Sequence, residues 1–216
     1  MRPQTRPSVT IASYGEALER ARGLAAPGAR RVLGITGMPG AGKSRLAEQL
    51  AEALAPAAVY VPMDGFHLAN AELVRLGRSE RKGAPDTFDS AGYVHLLRRL
   101  RDAAAGEAVY APRFHREIEE PIAGEIAVTP DVPLVITEGN YLLVQTGGWG
   151  AVRPLLDEAW YVEVAEQVRL ERLVARHVAF GKPPHEARRW TLESDQRNAE
   201  LVRTTRHLAD VVVQAE

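Results

Sequence analysis

Short apolar runs and longer amphipathic segments alternate along the chain. Residues 32–36, 59–63 and 134–137 are compact apolar runs of strand length. In the segments between them, apolar residues recur every three or four positions, which is the helical period. Strands that alternate with helices predict βαβ units and a parallel sheet, so the pattern favours an α/β fold.

Four helices and one hairpin can be placed from the same pattern. We expect helices at residues 13–26, after residue 44, after a cap at Asp89 or Ser90, and at 166–180, where Gly181 and two prolines end the last one. Residues 110–129 favour short strands or a hairpin. The apolar positions expected to be buried in the last two helices are Tyr93, Leu96, Leu97, Leu100, Leu170, Leu173, Val174 and Val178.

Residues 37–44 fit the phosphate-binding loop pattern G-x-x-x-x-G-K-[ST], with an apolar run before the loop and a helical pattern after it. Glycines let successive N–H groups turn toward phosphate oxygens, and the following helix adds its positive end. A glycine-rich turn that binds nothing is the alternative. The expected nucleotide contacts are Gly37, Met38, Pro39, Gly40, Ala41, Gly42, Lys43 and Ser44, with Lys43 reaching the β- and γ-phosphates and Ser44 binding Mg²⁺.

Two other apolar runs end at acidic residues, Asp64 and Glu138. Ligands of parallel α/β sheets bind at the carboxyl ends of the strands, so both acids are expected near the phosphate loop. Phosphoryl transfer needs a group that aims the attacking hydroxyl and a ligand for the metal. We therefore predict Asp64 as the proton acceptor and Glu138 as a Mg²⁺ ligand, direct or through water. Acids in such positions can also be simple caps or turn residues.

Arg169, Arg172 and Arg176 recur at helical spacing on one face of the 166–180 segment. Such a row is typical of a solvated surface, but it also suits a lid that closes cations over ATP. On the lid interpretation, Arg172 is catalytic and Arg176 binds nucleotide, and both are favoured over Arg169.

The region 66–130 is expected to choose the acceptor because it is rich in turn, basic and aromatic residues. His67, Lys82, Arg113 and Tyr141 are the predicted substrate contacts; His67 and His115 could equally be hydrogen-bonded structural residues. Of 27 basic residues only Lys43, Lys82 and Lys182 are lysine. A lysine kept in such a chain is a candidate for chemistry that arginine cannot perform, or a chance survivor.

Composition sets the class of protein. The net charge of −1 and the 45% hydrophobic content indicate a globular chain without the basic surplus of a nucleic-acid binder. The absence of cysteine excludes disulfides and fits a reducing cytoplasm. We see no signal peptide, and the longest apolar stretch, residues 132–144, is interrupted and too short for a membrane span. A homodimer is the default oligomer.

These motifs together resemble one known superfamily. Residues 37–44, 63–67 (Met-Asp-Gly-Phe-His), 81–89 (Arg-Lys-Gly-Ala-Pro-Asp-Thr-Phe-Asp), 112–114 (Pro-Arg-Phe) and 136–141 (Ile-Thr-Glu-Gly-Asn-Tyr) are similar to the uridine kinase, phosphoribulokinase and pantothenate kinase superfamily. The nearest subgroup is that of nucleoside/nucleotide kinase-like proteins, some labelled fructose-transport-system kinases. The resemblance covers about residues 30–214 and leaves the N-terminal helix outside.

The resemblance implies a P-loop NTPase fold, a three-layer αβα sandwich with a five-stranded parallel sheet, a helical lid and a small acceptor-site insertion. It implies ATP and Mg²⁺, and it matches Asp64 to the catalytic aspartate, Glu138 to the acid after the Walker B strand, and Arg172 and Arg176 to the lid. Asn198 matches a nucleotide-proximal stretch.

We therefore expect a single kinase domain over 1–216, with an N-terminal extension at 1–30, the acceptor region at 66–130 and the lid at 166–200. The expected reaction transfers the γ-phosphoryl group of ATP to a hydroxyl of a nucleoside, sugar or pantothenate-like alcohol. A GTPase is excluded because there is no Asn-Lys pair, and a transporter ATPase because there is no Leu-Ser-Gly-Gly motif. The alternative is a nucleotide-binding regulator or an ATPase without an acceptor, although sensing needs no proton acceptor.

Overall fold

The centre of the protein is a parallel sheet of six strands in the part of the chain that the structure, a computed structural model, describes, residues 9–102 and 106–215. The strand order is β1-β8-β7-β2-β6-β3, and every neighbouring pair is parallel. A separate antiparallel hairpin pairs β4 with β5. The strands are β1 (Val9–Ile11), β2 (Arg31–Gly37), β3 (Ala58–Pro62), β4 (Val109–His115), β5 (Glu120–Val128), β6 (Leu134–Glu138), β7 (Glu158–Glu163) and β8 (Val211–Gln214).

Six strands replace the expected five. The additional strand β1 pairs with β8 at the edge of the sheet, where Val9 lies opposite Val211 and Ile11 opposite Val213. A three-residue strand is too short to show a period in the sequence. It forms because β8 would otherwise leave its backbone N–H and C=O groups unpaired along the edge.

Helices cover both faces of the sheet, which confirms the three-layer α/β fold. Alternate strand residues point to opposite faces, so Leu33 joins a core with the first two helices while Val32 joins one with the fourth and seventh helices. None of the helices in the described ranges is long and apolar enough to cross a membrane. The helices are α1 (Tyr14–Leu24), α2 (Lys43–Ala53), α3 (Asn70–Arg75), α4 (Ser90–Asp102), α5 (Glu166–Ala179), α6 (Pro184–Trp190) and α7 (Gln196–Arg203).

The predicted boundaries of α4 and α5 are close to those observed. Asp89 is the cap of α4, since its Oδ1 accepts a hydrogen bond of 2.8 Å from the Gly92 N–H. Tyr93, Leu96, Leu97 and Leu100 are all buried as expected. In α5 the expected face is partly wrong: Leu173 is buried, but Val178 is 40% exposed and Arg169 is fully buried instead.

The β4–β5 hairpin lies directly over the turn that follows β3. A Cβ atom at Gly65 would come within 2.4 Å of the Pro112 carbonyl oxygen, so only glycine lets the hairpin approach this closely. The contact brings the acceptor region of the sequence to the carboxyl edge of the sheet.

Candidate active site

The phosphate loop leaves the middle of the sheet. β2 lies between β6 and β7, and its carboxyl end continues into the loop and then into α2, which begins at Lys43. Gly42, the cap of α2, has φ of 96°, a left-handed conformation that glycine adopts without strain. At Gly37 a Cβ would lie 2.5 Å from the Val162 oxygen. Both glycines are therefore required by the path of the loop.

Glu138, at the end of β6, contacts polar groups of the phosphate loop and of β3. Its Oε2 accepts hydrogen bonds of 3.1 Å from the Ser44 and Tyr60 hydroxyls, and its Oε1 lies 3.7 Å from Lys43 Nζ. Lys43 also donates to the Met38 carbonyl at 3.2 Å. Side chains from β3, from the end of β6 and from the phosphate loop thus meet at one carboxylate.

Burial governs the electrostatics of this pair. Both side chains are about 6–7% exposed. Loss of hydration raises the pKa of the Glu138 carboxyl, an effect that the charge of Lys43 opposes. The same loss lowers the pKa of the Lys43 ammonium, and Glu138 opposes that. Each group therefore offsets part of the cost of burying the charge of the other.

The oxygens around Glu138 suit Mg²⁺. This ion prefers hard oxygen ligands and usually takes one or two protein groups, completing its octahedron with water and phosphate oxygens. The Ser44 Oγ and the Glu138 carboxylate, 3.1 Å apart, supply such a pair. The described residues contain no group of three or more His, Cys, Asp or Glu able to hold a metal by themselves, so these two residues fit a metal shared with phosphate.

Asp64 lies on a short 3₁₀ turn, Met63–Phe66, directly after β3. Its Oδ2 accepts a hydrogen bond of 3.2 Å from Arg116 Nη2. Its backbone oxygen accepts one of 2.8 Å from His67 Nδ1, so that nitrogen carries the proton and Nε2 is left as an acceptor. Burial lowers the pKa of His67, which favours this neutral ring.

Two cavities meet at the phosphate loop. The inner cavity, about 360 Å³, contains Asp64 and Glu138. The outer cavity, about 580 Å³, lies on the other side of the loop, against α2 and the carboxyl ends of β1 and β8. They share three lining residues: Lys43, Ser44 and Arg176.

The three arginines of α5 have different surroundings. Arg176 is largely buried at the junction of the cavities, and burial lowers the pKa of its guanidinium, with nearby Arg116 adding to the effect. Arg172 lines the outer cavity beside Gly42. Arg169 is fully buried and donates to the Pro39 carbonyl and to Glu166 and Gln196, so it joins α5 to the loop and to α7.

The predicted acceptor residues are only partly brought together. His67 and Lys82 line the inner cavity, and so does Asn198, which the sequence predicts as a nucleotide contact and not as an acceptor residue. Arg113 does not line it; its side chain is 45% exposed and pairs with Glu125 at 3.1 Å. Tyr141 is fully buried and donates its hydroxyl proton to the Gly83 carbonyl, which also accepts from Asn198 Nδ2 at 3.4 Å. Tyr141 therefore holds the loop after Lys82 and does not face the cavity.

Sequence reasoning missed Arg116 and Asp195 as cavity residues. Arg116 bonds Asp64, and its guanidinium lies 5.9 Å from the rings of both Phe114 and Phe180. Asp195, at the end of a π-helical turn (Thr191–Asp195), is 2.7 Å from His177 Nε2. A π-helical turn often marks a functional site, but no pattern in the sequence announces one.

Comparison with known proteins decides the family. The sequence model of the Phosphoribulokinase / Uridine kinase family matches residues 32–214. The chain belongs to this family. It is therefore an ATP-dependent kinase of small molecules, a phosphotransferase with a hydroxyl group as acceptor.

Several relatives show how far the likeness extends. A Schizosaccharomyces pombe protein provisionally named a uridine kinase is 33% identical over 215 residues, covering 94% of this chain and 91% of its own length. A structure from Silicibacter sp. TM1040, provisionally named a fructose transport system kinase, has 33% identity and a TM-score of 0.83, with 94% of this chain and 99% of that one covered. A pantothenate kinase of Leifsonia xyli is 30% identical over 164 residues, 70% of this chain and 50% of that enzyme.

Proposed function

We propose that this kinase transfers the γ-phosphoryl group of ATP directly to a hydroxyl of a small acid-bearing metabolite. The observation that carries the proposal is the junction of the two cavities at Lys43, Ser44 and Arg176, with Asp64 on the inner side only. ATP occupies the outer cavity and the acceptor the inner one. The γ-phosphate then lies where the two open into each other.

The positively charged groups around the phosphate loop indicate where the triphosphate of ATP binds. The triphosphate binds the loop N–H groups and the start of α2. Burial lowers the pKa of Arg176, so a bound anion such as a phosphate would offset the cost of burying its charge. Arg172 lies beside Gly42, along the path of the triphosphate. Ser44 and Glu138 would hold Mg²⁺, which supplies charge neutralisation between the phosphates when bound.

The acceptor side depends on Asp64. Its carboxylate accepts the proton of the attacking hydroxyl, and Arg116 fixes its orientation through Oδ2. His67, with Nε2 free to accept, aligns a second hydroxyl of the acceptor. Lys43 and Arg176 neutralise the negative charge on the transferred group.

The acid group of the acceptor is inferred from the cations of the inner cavity. Lys82 is occupied by the Asn70 side chain and the Glu119 backbone and carboxylate, and Arg116 by Asp64. Lys182 has no carboxylate within ion-pair distance among the described residues; its Nζ lies 4.5 Å from the Trp190 ring centre. A carboxylate or phosphate on the acceptor would pair with Lys182.

A screen of candidate acceptors tests the proposed function. Hydroxy acids, sugar phosphates, neutral sugars and nucleosides are offered with ATP and Mg²⁺, and the phosphorylated product is measured. We expect turnover with acid-bearing hydroxyl compounds and none in the Asp64→Asn protein. A regulator or acceptor-free ATPase would instead bind or hydrolyse ATP at a rate that no hydroxyl compound increases.

Replacing Lys182 by methionine should raise KM for the accepted acid by roughly tenfold or more, the value of a hydrogen bond to a charged group, with little change in KM for ATP. Arg188→Met is the matched control, because Arg188 is an exposed cation on helix α6, which begins just after Lys182, and it does not line the inner cavity. An unchanged acceptor KM in the Lys182 variant, or equal use of neutral acceptors, would show that the acid group is not recognised.

A further inference from the structure

The residues before the family match form one wall of the outer cavity. The family model begins at residue 32, yet Ala12, Ser13 and Tyr14 line this cavity together with Gln214 and Ala215. β1 and β8 run parallel, so the turn after β1 lies at the carboxyl edge of the sheet, the edge from which the phosphate loop leaves.

The turn from β1 into α1 is held in place by two reciprocal hydrogen bonds. Ser13 Oγ accepts from the Glu16 N–H at 3.2 Å, and Glu16 Oε2 accepts from the Ala12 N–H at 3.1 Å. The arrangement is related to a capping box, with the Glu16 bond going to the residue before the N-cap, and it fixes the direction in which the chain enters the helix. It also fixes the position of Tyr14, the first residue of α1.

Tyr14 is an exposed aromatic residue that is nevertheless held at its far end. The residue is 42% exposed, and its hydroxyl donates to the Gln49 carbonyl of α2 at 3.1 Å. Gln49 and Leu46 line the same cavity, as do Gly42 and Lys43 at the start of α2. The ring therefore stands beside the helix that begins at the phosphate loop, with its exposed part available to a ligand.

We infer that Tyr14 is a contact for the nucleotide base, so that the N-terminal extension completes the nucleotide site. The inference rests on the proposed role of the outer cavity as the ATP site. With the phosphates at Lys43 and Arg172, the rest of the nucleotide extends toward Tyr14 and Gln214. An aromatic ring offers a base a stacking surface, and Tyr14 is the aromatic residue among the described residues that line this cavity.

Equilibrium binding of ATP and of inorganic tripolyphosphate to the full chain, followed by calorimetry, tests the inference without requiring turnover. In Tyr14→Ala the ATP Kd should rise roughly 5- to 150-fold, the range for loss of a base–aromatic stack. The tripolyphosphate Kd should stay within about twofold, because that ligand has no base. Tyr14→Phe, which keeps the ring and loses the hydroxyl bond to Gln49, should retain most of the ATP affinity that Tyr14→Ala loses.

Tyr110→Ala is the control, since Tyr110 is a 58% exposed ring on the hairpin, outside both cavities. Tyr14→Leu serves if the alanine variant does not fold. An unchanged ATP Kd in Tyr14→Ala or Tyr14→Leu would overturn the inference, and so would a parallel loss of affinity for both ligands, which would mean that Tyr14 only supports α2. If the wild type binds neither ligand, it is the nucleotide site of the proposed function that fails.

Discussion

Asp64→Asn should lower kcat by roughly 10²- to 10⁴-fold, the usual contribution of a positioned general base. Asparagine has nearly the same shape and keeps an oxygen for Arg116, so the turn after β3 and the inner cavity should persist. The amide cannot accept the proton of the attacking hydroxyl. ATP affinity should therefore remain near the wild-type value while phosphorylation of the acceptor is lost.

Asp131→Asn is the matched control for this substitution, because Asp131 is an exposed carboxylate that lines neither cavity. Its steady-state kinetics should equal those of the wild type. Turnover in Asp64→Asn at the wild-type rate would show that Asp64 is not the general base. Loss of ATP binding along with turnover would show that Asp64 supports the fold of the phosphate site instead.

Lys43→Ala should lower kcat/KM by at least about 10²-fold, comparable to the loss of one donor that stabilises transition-state charge. A second effect follows from burial. Without Lys43 the buried Glu138 loses its cation, and its pKa, already raised by burial, rises further. When the pKa of a carboxyl is higher in the folded state than in the unfolded state, stability falls as the pH rises above the unfolded-state pKa. The Tm of the variant should therefore fall more between pH 5 and pH 8 than that of the wild type.

The double variant Lys43→Ala/Glu138→Gln separates these effects. Removing the carboxylate charge should restore most of the lost Tm at pH 8, since no uncompensated buried charge remains. Activity should not return, because neither the phosphate cation nor the acidic oxygen of Glu138 is present. Full activity in Lys43→Ala would contradict the proposed phosphate contact, and an unchanged pH dependence of Tm would contradict the coupling of the pair.

The groups that the sequence predicts well are those fixed by local pattern and by the parallel sheet. The phosphate loop needs only its own eight residues and a strand–helix context. Asp64 and Glu138 follow apolar runs, and parallel strands bring their carboxyl ends to one edge. These rules place the polar groups without knowledge of any long-range packing.

These rules do not predict which side chains of the β4–β5 hairpin face the inner cavity. Val109 and Ala111 are buried, so strict alternation would place Arg113 and His115 on the same inward face. The pairing with β5 shifts register between Ala111 and Arg113, and the buried alternation of β4 does not continue beyond this irregularity. Arg116 and Phe114 therefore reach the inner cavity, while Arg113 pairs with Glu125 outside.

Arg169 was unpredictable for a different reason. Its helical spacing groups it with Arg172 and Arg176, but its donors are satisfied by Pro39 and Gln196, which are distant in sequence. A buried arginine of this kind can be recognised only after the loop, α5 and α7 have been placed together.

In the proposed mechanism the two cavities hold ATP and acceptor at the same time and meet at the transferred phosphoryl group. A crystal structure with a non-hydrolysable ATP analogue, Mg²⁺ and an acceptor found in the screen would reveal both ligands together. We expect the γ-phosphate between Lys43 and Arg176, and the acceptor hydroxyl on Asp64 with its oxygen roughly 3–3.5 Å from the γ-phosphorus. An acceptor in the outer cavity, or a γ-phosphate directed away from Asp64, would rule out direct transfer between the two cavities.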